Sequence, residues 1–356
     1  MRHEFESRPA SESVWLKSWH PRSADAVEAP HCPVEPRTAV ERPSLAEGGN
    51  TDSTEIDAAF LEAVSRGLSL PEKALAPACL WDETGADLLA RAAEDPDCYP
   101  ASREAGLLGE VAAEVATLVG PEPRVLVFGA APAGGLDALL TALDRPHPPE
   151  ILPLDGAAPR PDGDGARPEA LLGACLGATA GSLAPADLVA VLERARAILG
   201  RGWLLVGTDP NGDTESLLRA HADDGGLMAA FHLNVLHRLA RANGDATPDR
   251  PSEAGAQAGT DAAAAPLGPE DFRHEARVRL DPFRVETHLV AERAGTLRVG
   301  DETIPFAHGE SVRTGCAYRY APGVFQELAA DAGWEPVRCW LDPDGLFSLH
   351  LLRGEA

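Results

Sequence analysis

The sequence predicts an α/β protein in which a parallel sheet, covered on both faces, is followed by an antiparallel β region. Three observations predict it. Short apolar runs alternate with helical segments from Glu104 to Val206, as in a sheet buried on both sides. From Phe272 to Arg313 the pattern changes to residue-by-residue alternation broken by turn signals. The chain has 356 residues, 44% of them hydrophobic, enough for two modest cores.

Taken in order, residues 1–57 are rich in Pro, Ser, Glu and Ala without a sustained period and are expected to be disordered. Within them, Trp15 and Trp19 suit docking onto a partner or onto the protein itself, or are isolated apolar residues of a tail. Glu104 to Val119 puts Leu107, Leu108, Val111, Val115, Leu118 and Val119 on one helical face. Arg124–Phe128 reads as a strand stopped by Gly129. Leu136–Leu143 reads as helix, Glu150–Leu154 as strand, Ala170–Leu176 as strand, Ala184–Leu199 as helix and Trp203–Val206 as strand. These four strands are expected side by side in one largely parallel sheet. A helix follows over Gly226–Ala242, and then a low-complexity stretch, 244–268, too poor in apolar anchors for a compact loop. Turn signals at Asp281-Pro282 and Gly300-Asp301 separate antiparallel strands. A helix near Pro322–Gly333 precedes a hairpin whose strands, Pro336–Leu341 and Leu346–Leu352, flank Asp342-Pro-Asp-Gly345.

The formal net charge of −25 disfavours nucleic acid and anionic membranes and is compatible with simple solubility or with weak attraction for a cationic ligand. No apolar run reaches the roughly 20 residues of a membrane span, and the first residues lack a secretory pattern, so a cytoplasmic location is expected. The six cysteines contain no C-x-x-C pair, and no Cys/His cluster has zinc-ligand spacing, so no metal is expected.

Gly129 after the first strand and Asp155 at the tip of the second stand where a nucleotide-binding fold approaches its ligand and holds ribose hydroxyls. The same residues equally suit an ordinary turn and a helix cap. Longer stretches narrow the choice. Lys73-Ala-Leu-Ala-Pro-Ala-Cys-Leu-Trp-Asp-Glu-Thr-Gly-Ala-Asp-Leu88 resembles the K-x-L-P-P-x-x-F-Y-D-x-x-G-S-x-L segment of the histidine Nα-methyltransferase family of ergothioneine biosynthesis. Cys98-Tyr-Pro100 is similar to its Y-Y-P, and Leu176-Gly-Ala-Thr-Ala-Gly-Ser-Leu-Ala-Pro185 to L-G-S-T-I-G-N-x-x-P. Gly207-Thr-Asp209, Met228 to Leu236, Gly309 to Thr314 and Trp340 to Phe347 resemble further family segments in the same order, so the likeness runs from Phe60 to Arg353.

The resemblance implies a Rossmann-like class I methyltransferase domain (103–209 plus 318–354). It implies a second α+β substrate domain (58–102 plus 210–317, with the insertion at 244–268) and a cleft between the two. It implies S-adenosylmethionine as cofactor, near Gly129, Ala131, Asp155, Gly177 and Thr179, and a small amine or amino acid as partner. The substrate pocket would be formed by Trp81, Cys98, Ser182, His221, Phe231, Gly315 and Ala317. At most of these positions the chain departs from the family. Cys98 stands for a tyrosine, Ser182 for an asparagine, His221 and Trp81 for tyrosines, and Gly315 and Ala317 for the glutamate and serine that read an imidazole. The glycine-rich loop after Gly129 has lost an acidic residue, a second glycine and a lysine, and the stretch between Asp155 and Gly177 is short enough to lack the family's third strand.

Each hydrogen bond to a charged group contributes roughly 1.5–3 kcal/mol. Four lost partners forfeit on the order of 6 kcal/mol, about four decades of affinity. Histidine is therefore not the expected acceptor. Two functions stay open: a methyltransferase with another acceptor, and a non-catalytic family member serving as a binding or scaffold subunit. A third reading takes Cys98, His221 and Cys316 as a thiol or metal site, against the alternative that both cysteines fill vacated space. A partly cationic His221 is expected to repel amine and sulfonium alike.

Overall fold

The computed structural model describes residues 53–129, 136–144, 149–152, 154, 170–177, 179–222, 226–244 and 265–354, all within one compact unit. The chain opens with helix α1 (Ser53–Leu68), which starts inside the segment expected to be disordered. Phe60, Val64 and Leu68 recur at helical spacing and are all buried, so the helix docks through an apolar stripe on its later turns. A short 3-10 turn (Pro77–Leu80) leads into α2 (Glu83–Ala92) and α3 (Pro100–Val119). Helix α3 begins a turn earlier than its apolar period because Pro100 sits at the first helical position, where no N–H is needed.

Strands β1 (Arg124–Phe128), β2 (Glu150–Leu152), β3 (Leu171–Cys175) and β4 (Trp203–Thr208) alternate with α4 (Leu136–Ala142) and α5 (Pro185–Leu199). They pair in parallel within one sheet, as the sequence predicts, and their order is β4-β3-β1-β2. β2 stops at Leu152, before a proline that has no N–H to give a ladder. Two late strands, β10 (Trp334–Leu341) and β11 (Ser348–Gly354), extend the sheet antiparallel beyond β4, so six strands run β10-β11-β4-β3-β1-β2. This is the α/β, Rossmann-like class. Period-two alternation gives the sheet two apolar faces. Leu126, Phe128, Leu204 and Val206 face α5 and α8 (Pro322–Asp331), whereas Val125, Val127, Trp203 and Leu205 face α3 and α4. The stretch read as lacking a third strand falls mostly outside the described residues.

Among the described residues between β4 and β10 lie α6 (Thr214–Ala222), α7 (Leu227–Ala242), five strands, β5 (Phe272–Leu280), β6 (Phe283–Ala291), β7 (Gly295–Val299), β8 (Glu302–Phe306) and β9 (Ser311–Tyr318), and then α8. β5, β6 and β9 form one antiparallel sheet; β7 and β8 form a hairpin turning at Gly300-Asp301. α1, α2 and α7 close over these strands around Phe231, Leu289, Phe306 and Val312. The low-complexity stretch ends sooner than expected. Leu267 is buried, its N–H donates to Thr296 O at 2.8 Å, and Thr296 N–H donates to Ala265 O at 2.9 Å. Residues 245–264 lie outside the described residues.

Several segments that carry the family resemblance fix this scaffold. Asp82 caps α2 by accepting from Gly85 N–H at 2.7 Å, and also accepts from Asn234 (2.7 Å) and Arg241 (2.8 Å) of α7. Lys73 pairs with Glu310, joining the first matched segment to the strand carrying Gly315. Asp342 accepts from the N–H groups of Leu346 (2.5 Å) and Phe347 (2.8 Å) and pairs with Arg103 at 3.0 Å.

Candidate functional site

At the carboxyl end of β1 the chain turns at Gly129 with φ +90°, a conformation that side chains disfavour. A Cβ there would also stand 2.8 Å from Thr179 Cγ2. At the end of β3 the turn passes through Gly177, φ +67°, to Thr179, whose hydroxyl donates to Leu176 O at 2.6 Å. Ser182 closes the next turn by donating to Thr179 O at 2.7 Å. That 3-10 turn, Ala180–Ser182, lies against β9, because a Cβ on Gly181 would come 3.3 Å from Tyr318 O. Gly129, Gly177, Thr179 and Ser182 are thus brought together, beside the strand that carries Gly315 and Ala317. Ala131 and Asp155 lie outside the described residues.

A buried polar network that the sequence reading missed occupies the tip of β4. Tyr99 Oη donates to Asp209 Oδ2 at 2.8 Å and accepts from Asn211 Nδ2 at 2.9 Å. Arg319 pairs with the same carboxylate at 2.9 Å and donates through Nη2 to His221 Nε2 at 2.6 Å, leaving the His221 proton on Nδ1. Burial pushes the Tyr99 hydroxyl and the Asp209 carboxyl up, the latter against the pull of Arg319. Burial first, then Arg319, holds His221 well below its ordinary range. His221 is therefore neutral near pH 7, which overturns the expectation of a partly cationic side chain.

The inner face of the β5-β6-β9 sheet carries the other pocket positions. Gly315 stands opposite Thr287, and Ala317 opposite Val285. A Cβ on Gly315 would be 2.5 Å from Thr287 Oγ1 and 3.3 Å from His232 Cε1. The Thr287 hydroxyl is itself buried without a hydrogen-bond partner. From α7, His232 Nδ1 bonds Thr314 Oγ1 at 2.9 Å, and its ring stacks on His274 at 5.0 Å. Burial and then His274 lower its pKa to about 3. The row continues through Phe231 to Trp81, which meet edge to face at 5.8 Å, Trp81 being 47% exposed. Cys98 packs against the same core as Phe231, and Cys316 against the core of the six-stranded sheet. Among the described residues no group of His, Cys, Asp or Glu has metal-site geometry, and no helix is long and apolar enough to cross a membrane.

Of the missed residues, His232 and Thr287 are polar side chains inside mostly apolar elements, α7 and β6, whereas Tyr99, Asn211, His274 and Arg319 carry no such local signal. Asp209 stood in a matched segment without a role. A separate cavity of about 380 Å³, lined by Leu118, Leu171, Trp203 and Arg353 among others, opens at the starting ends of β3 and β4, opposite to this site.

The sequence profile of the family described as "Histidine-specific methyltransferase, SAM-dependent" matches residues 60–159 and 161–354. The chain is 30% identical over 319 residues to the histidine N-alpha-methyltransferase of Mycolicibacterium smegmatis, covering 81% of this chain and 92% of that protein. It is 30% identical over 318 residues to the protein of the same name from Mycobacterium tuberculosis, with the same coverages. Among solved structures, the CcbJ methyltransferase from Streptomyces caelestis is 13% identical and covers 69% of this chain and 95% of its own at a TM-score of 0.33, a likeness too loose to bear on function. On the profile and the two relatives, spread over nearly all of the described residues, the chain belongs to the histidine-specific, S-adenosylmethionine-dependent methyltransferase family.

Proposed function

We propose that this chain binds S-adenosylmethionine at the carboxyl ends of β1 and β3 and methylates a small amine or amino acid other than histidine. One observation carries the second half. A Cβ at Gly315 would stand 2.5 Å from Thr287 Oγ1 and 3.3 Å from His232 Cε1, so a side chain that reads an imidazole from this position would first have to displace them. The proposed donor contacts are Gly129, Ala131, Asp155, Gly177 and Thr179. The described ones fit the group, since two left-handed glycines bring backbone close to the crevice where ligands of open α/β sheets seat. The proposed acceptor pocket is Trp81, Cys98, Ser182, His221, Phe231, Gly315 and Ala317, with Thr287 and His232 added. In domain terms, donor and acceptor would meet between 103–209 plus 318–354 and 58–102 plus 210–317.

When bound, S-adenosylmethionine would supply an electrophilic sulfonium methyl group; the acceptor's amine lone pair would form the N–C bond as the C–S bond breaks, with S-adenosylhomocysteine leaving as a neutral thioether and the extra proton of the product amine passing to solvent. The protein's part is to hold a neutral amine at attack distance and to keep water from competing. Trp81 and Phe231 form an apolar wall on one side of the pocket. Neutral His221 and His232 offer hydrogen bonds without adding positive charge beside a cationic donor. Arg319, which donates to His221, is compensated by Asp209.

The test combines calorimetric titration with S-adenosylmethionine and S-adenosylhomocysteine with a methyl-transfer assay over histidine, its mono- and dimethyl forms and a panel of other amines. Micromolar donor binding with turnover of a non-histidine amine is expected. Turnover of histidine near 1 per second, an ordinary enzyme rate by order of magnitude, would overturn the reading. A second reading, a non-catalytic binding subunit, is favoured by the way Tyr99, Asp209, Asn211, Arg319 and His221 spend their hydrogen bonds on one another. Silence with both donor ligands would decide for it.

A further inference from the structure

The strand order of the six-stranded sheet puts a topological switch point between β1 and β3, since β2 flanks β1 on one side and β3 on the other. The carboxyl ends of these two strands are Gly129 and the turn at Gly177. One carboxyl group reaches that turn from below. Glu104, on α3, is 3% exposed, and its Oε2 accepts from Gly177 N–H at 2.7 Å. Its Oε1 is buried without a hydrogen-bond partner and lies over Gly207, where a Cβ would stand 2.3 Å from it and 3.0 Å from the Phe347 ring. The next residues after Gly177 carry Thr179 up against Gly129. A buried carboxyl with one unsatisfied oxygen is a costly way to hold one backbone N–H, and costs of this kind gather at functional sites.

We propose that Glu104 is a positioning residue for the methyl donor's seat, acting through the Gly177 N–H to hold the turn after β3, and with it Thr179, against Gly129. The inference rests on the reading of this crevice as the S-adenosylmethionine seat. Around Glu104, β3 contributes Cys175, whose thiol is pushed up to about 12 by burial and by Glu104 itself and so keeps its proton. The neighbouring residue of α3, Arg103, is paired with Asp342 of the β10–β11 turn, and Asp209 at the tip of β4 is paired with Arg319. Phe347 is apolar. Glu104, pushed up to about 7 by burial, is thus the group that changes charge near neutral pH beneath this turn.

The experiment titrates the full chain, Glu104→Ala and Glu104→Gln with S-adenosylhomocysteine and S-adenosylmethionine by calorimetry at three pH values from about 6 to 8, spanning one unit either side of the carboxyl. Glu104→Ala is expected to weaken S-adenosylhomocysteine by about tenfold, and Glu104→Gln, which keeps an acceptor oxygen, to stay within about threefold of wild type. An ionised carboxylate under the turn favours a sulfonium over a neutral thioether. The preference for S-adenosylmethionine should therefore rise by about threefold or more across that range in wild type relative to Glu104→Gln. The ligands' own titrations are common to both proteins and cancel, and a merely structural role would leave this preference flat. Wild-type affinity in Glu104→Ala, or identical pH dependence in wild type and Glu104→Gln, overturns the proposal while leaving the donor seat standing. Failure of the wild type to bind either ligand overturns the donor seat and this proposal with it.

Discussion

Replacing Glu104 by glutamine should make the protein more stable above neutral pH and leave its stability nearly unchanged near pH 4.5. The carboxyl is 3% exposed, burial pushes it up from an ordinary 4.5 to about 7, and the Gly177 N–H offsets only part of that. Between these values the folded chain keeps a proton that the unfolded chain has released. The stability that this proton confers is fully present below the ordinary value and is lost as pH rises through the folded one. A shift of this size corresponds to roughly 3 kcal/mol. Glutamine has no proton to lose and no charge to bury. The difference between variant and wild type should therefore grow from near zero at pH 4.5 to about 3 kcal/mol at pH 8, or about 5–10 °C in melting temperature for a chain of this size. Thermal unfolding followed by circular dichroism from about pH 4.5 to 8.5 measures it. Buried His232 and His350, lowered to about 3 and about 4, stay largely neutral in the folded chain over this range and protonate in the unfolded chain, but identically in both proteins. Melting curves of the two proteins that stay parallel across the range would refute the reasoning, because Glu104 would then be hydrated or paired.

Asp82→Ala should cost about 2–4 kcal/mol, seen as a lowered denaturation midpoint, because a helix cap and two contacts to α7 go together. Tyr99→Phe should cost about 1–3 kcal/mol, since it removes a donor from Asp209 and an acceptor from Asn211 in a buried network. Gly315→Glu should neither bind histidine in calorimetry nor fold as stably as wild type, losing about 1–3 kcal/mol to overpacking against Thr287. Adding Thr287→Ala to it should recover stability, and a lack of recovery would mean that the crowding comes from elsewhere.

The scaffold was legible because its signals are local and repetitive. Four parallel strands, their intervening helices and the terminal hairpin all followed from apolar periods and turn residues, since a sheet buried on both faces leaves few other patterns. Boundaries moved where one residue outweighed the period: Pro100 starts α3 early, and β2 ends before a proline. The helical turn at Ser53 and the docking of Leu267 escaped for a different reason. Each depends on tertiary partners, the α1 stripe on the core around Phe231 and Leu267 on the edge of β7, and a low-complexity sequence does not announce them.

The surroundings of the candidate site were less legible than the scaffold. The likeness to the family drew attention to the positions at which the chain departs from it, yet a departure such as Gly315 says only that a side chain is missing, not what fills the space. Here the space is filled from the facing strand by Thr287 and from α7 by His232, residues 28 and 83 positions away in the chain. The same non-local logic reverses the charge expected at His221. On a bare sequence an imidazole titrates near neutral pH, but burial and a guanidinium donating to its Nε2 hold it neutral. The matched residues Asp82, Lys73, Glu310 and Asp342 proved to be caps and cross-links of the scaffold. Sequence likeness of this kind therefore argues for fold and family more strongly than for acceptor. On the proposed function, the acceptor would be set by side chains that meet across strands and helices, and at those positions this chain has its own histidines and a threonine.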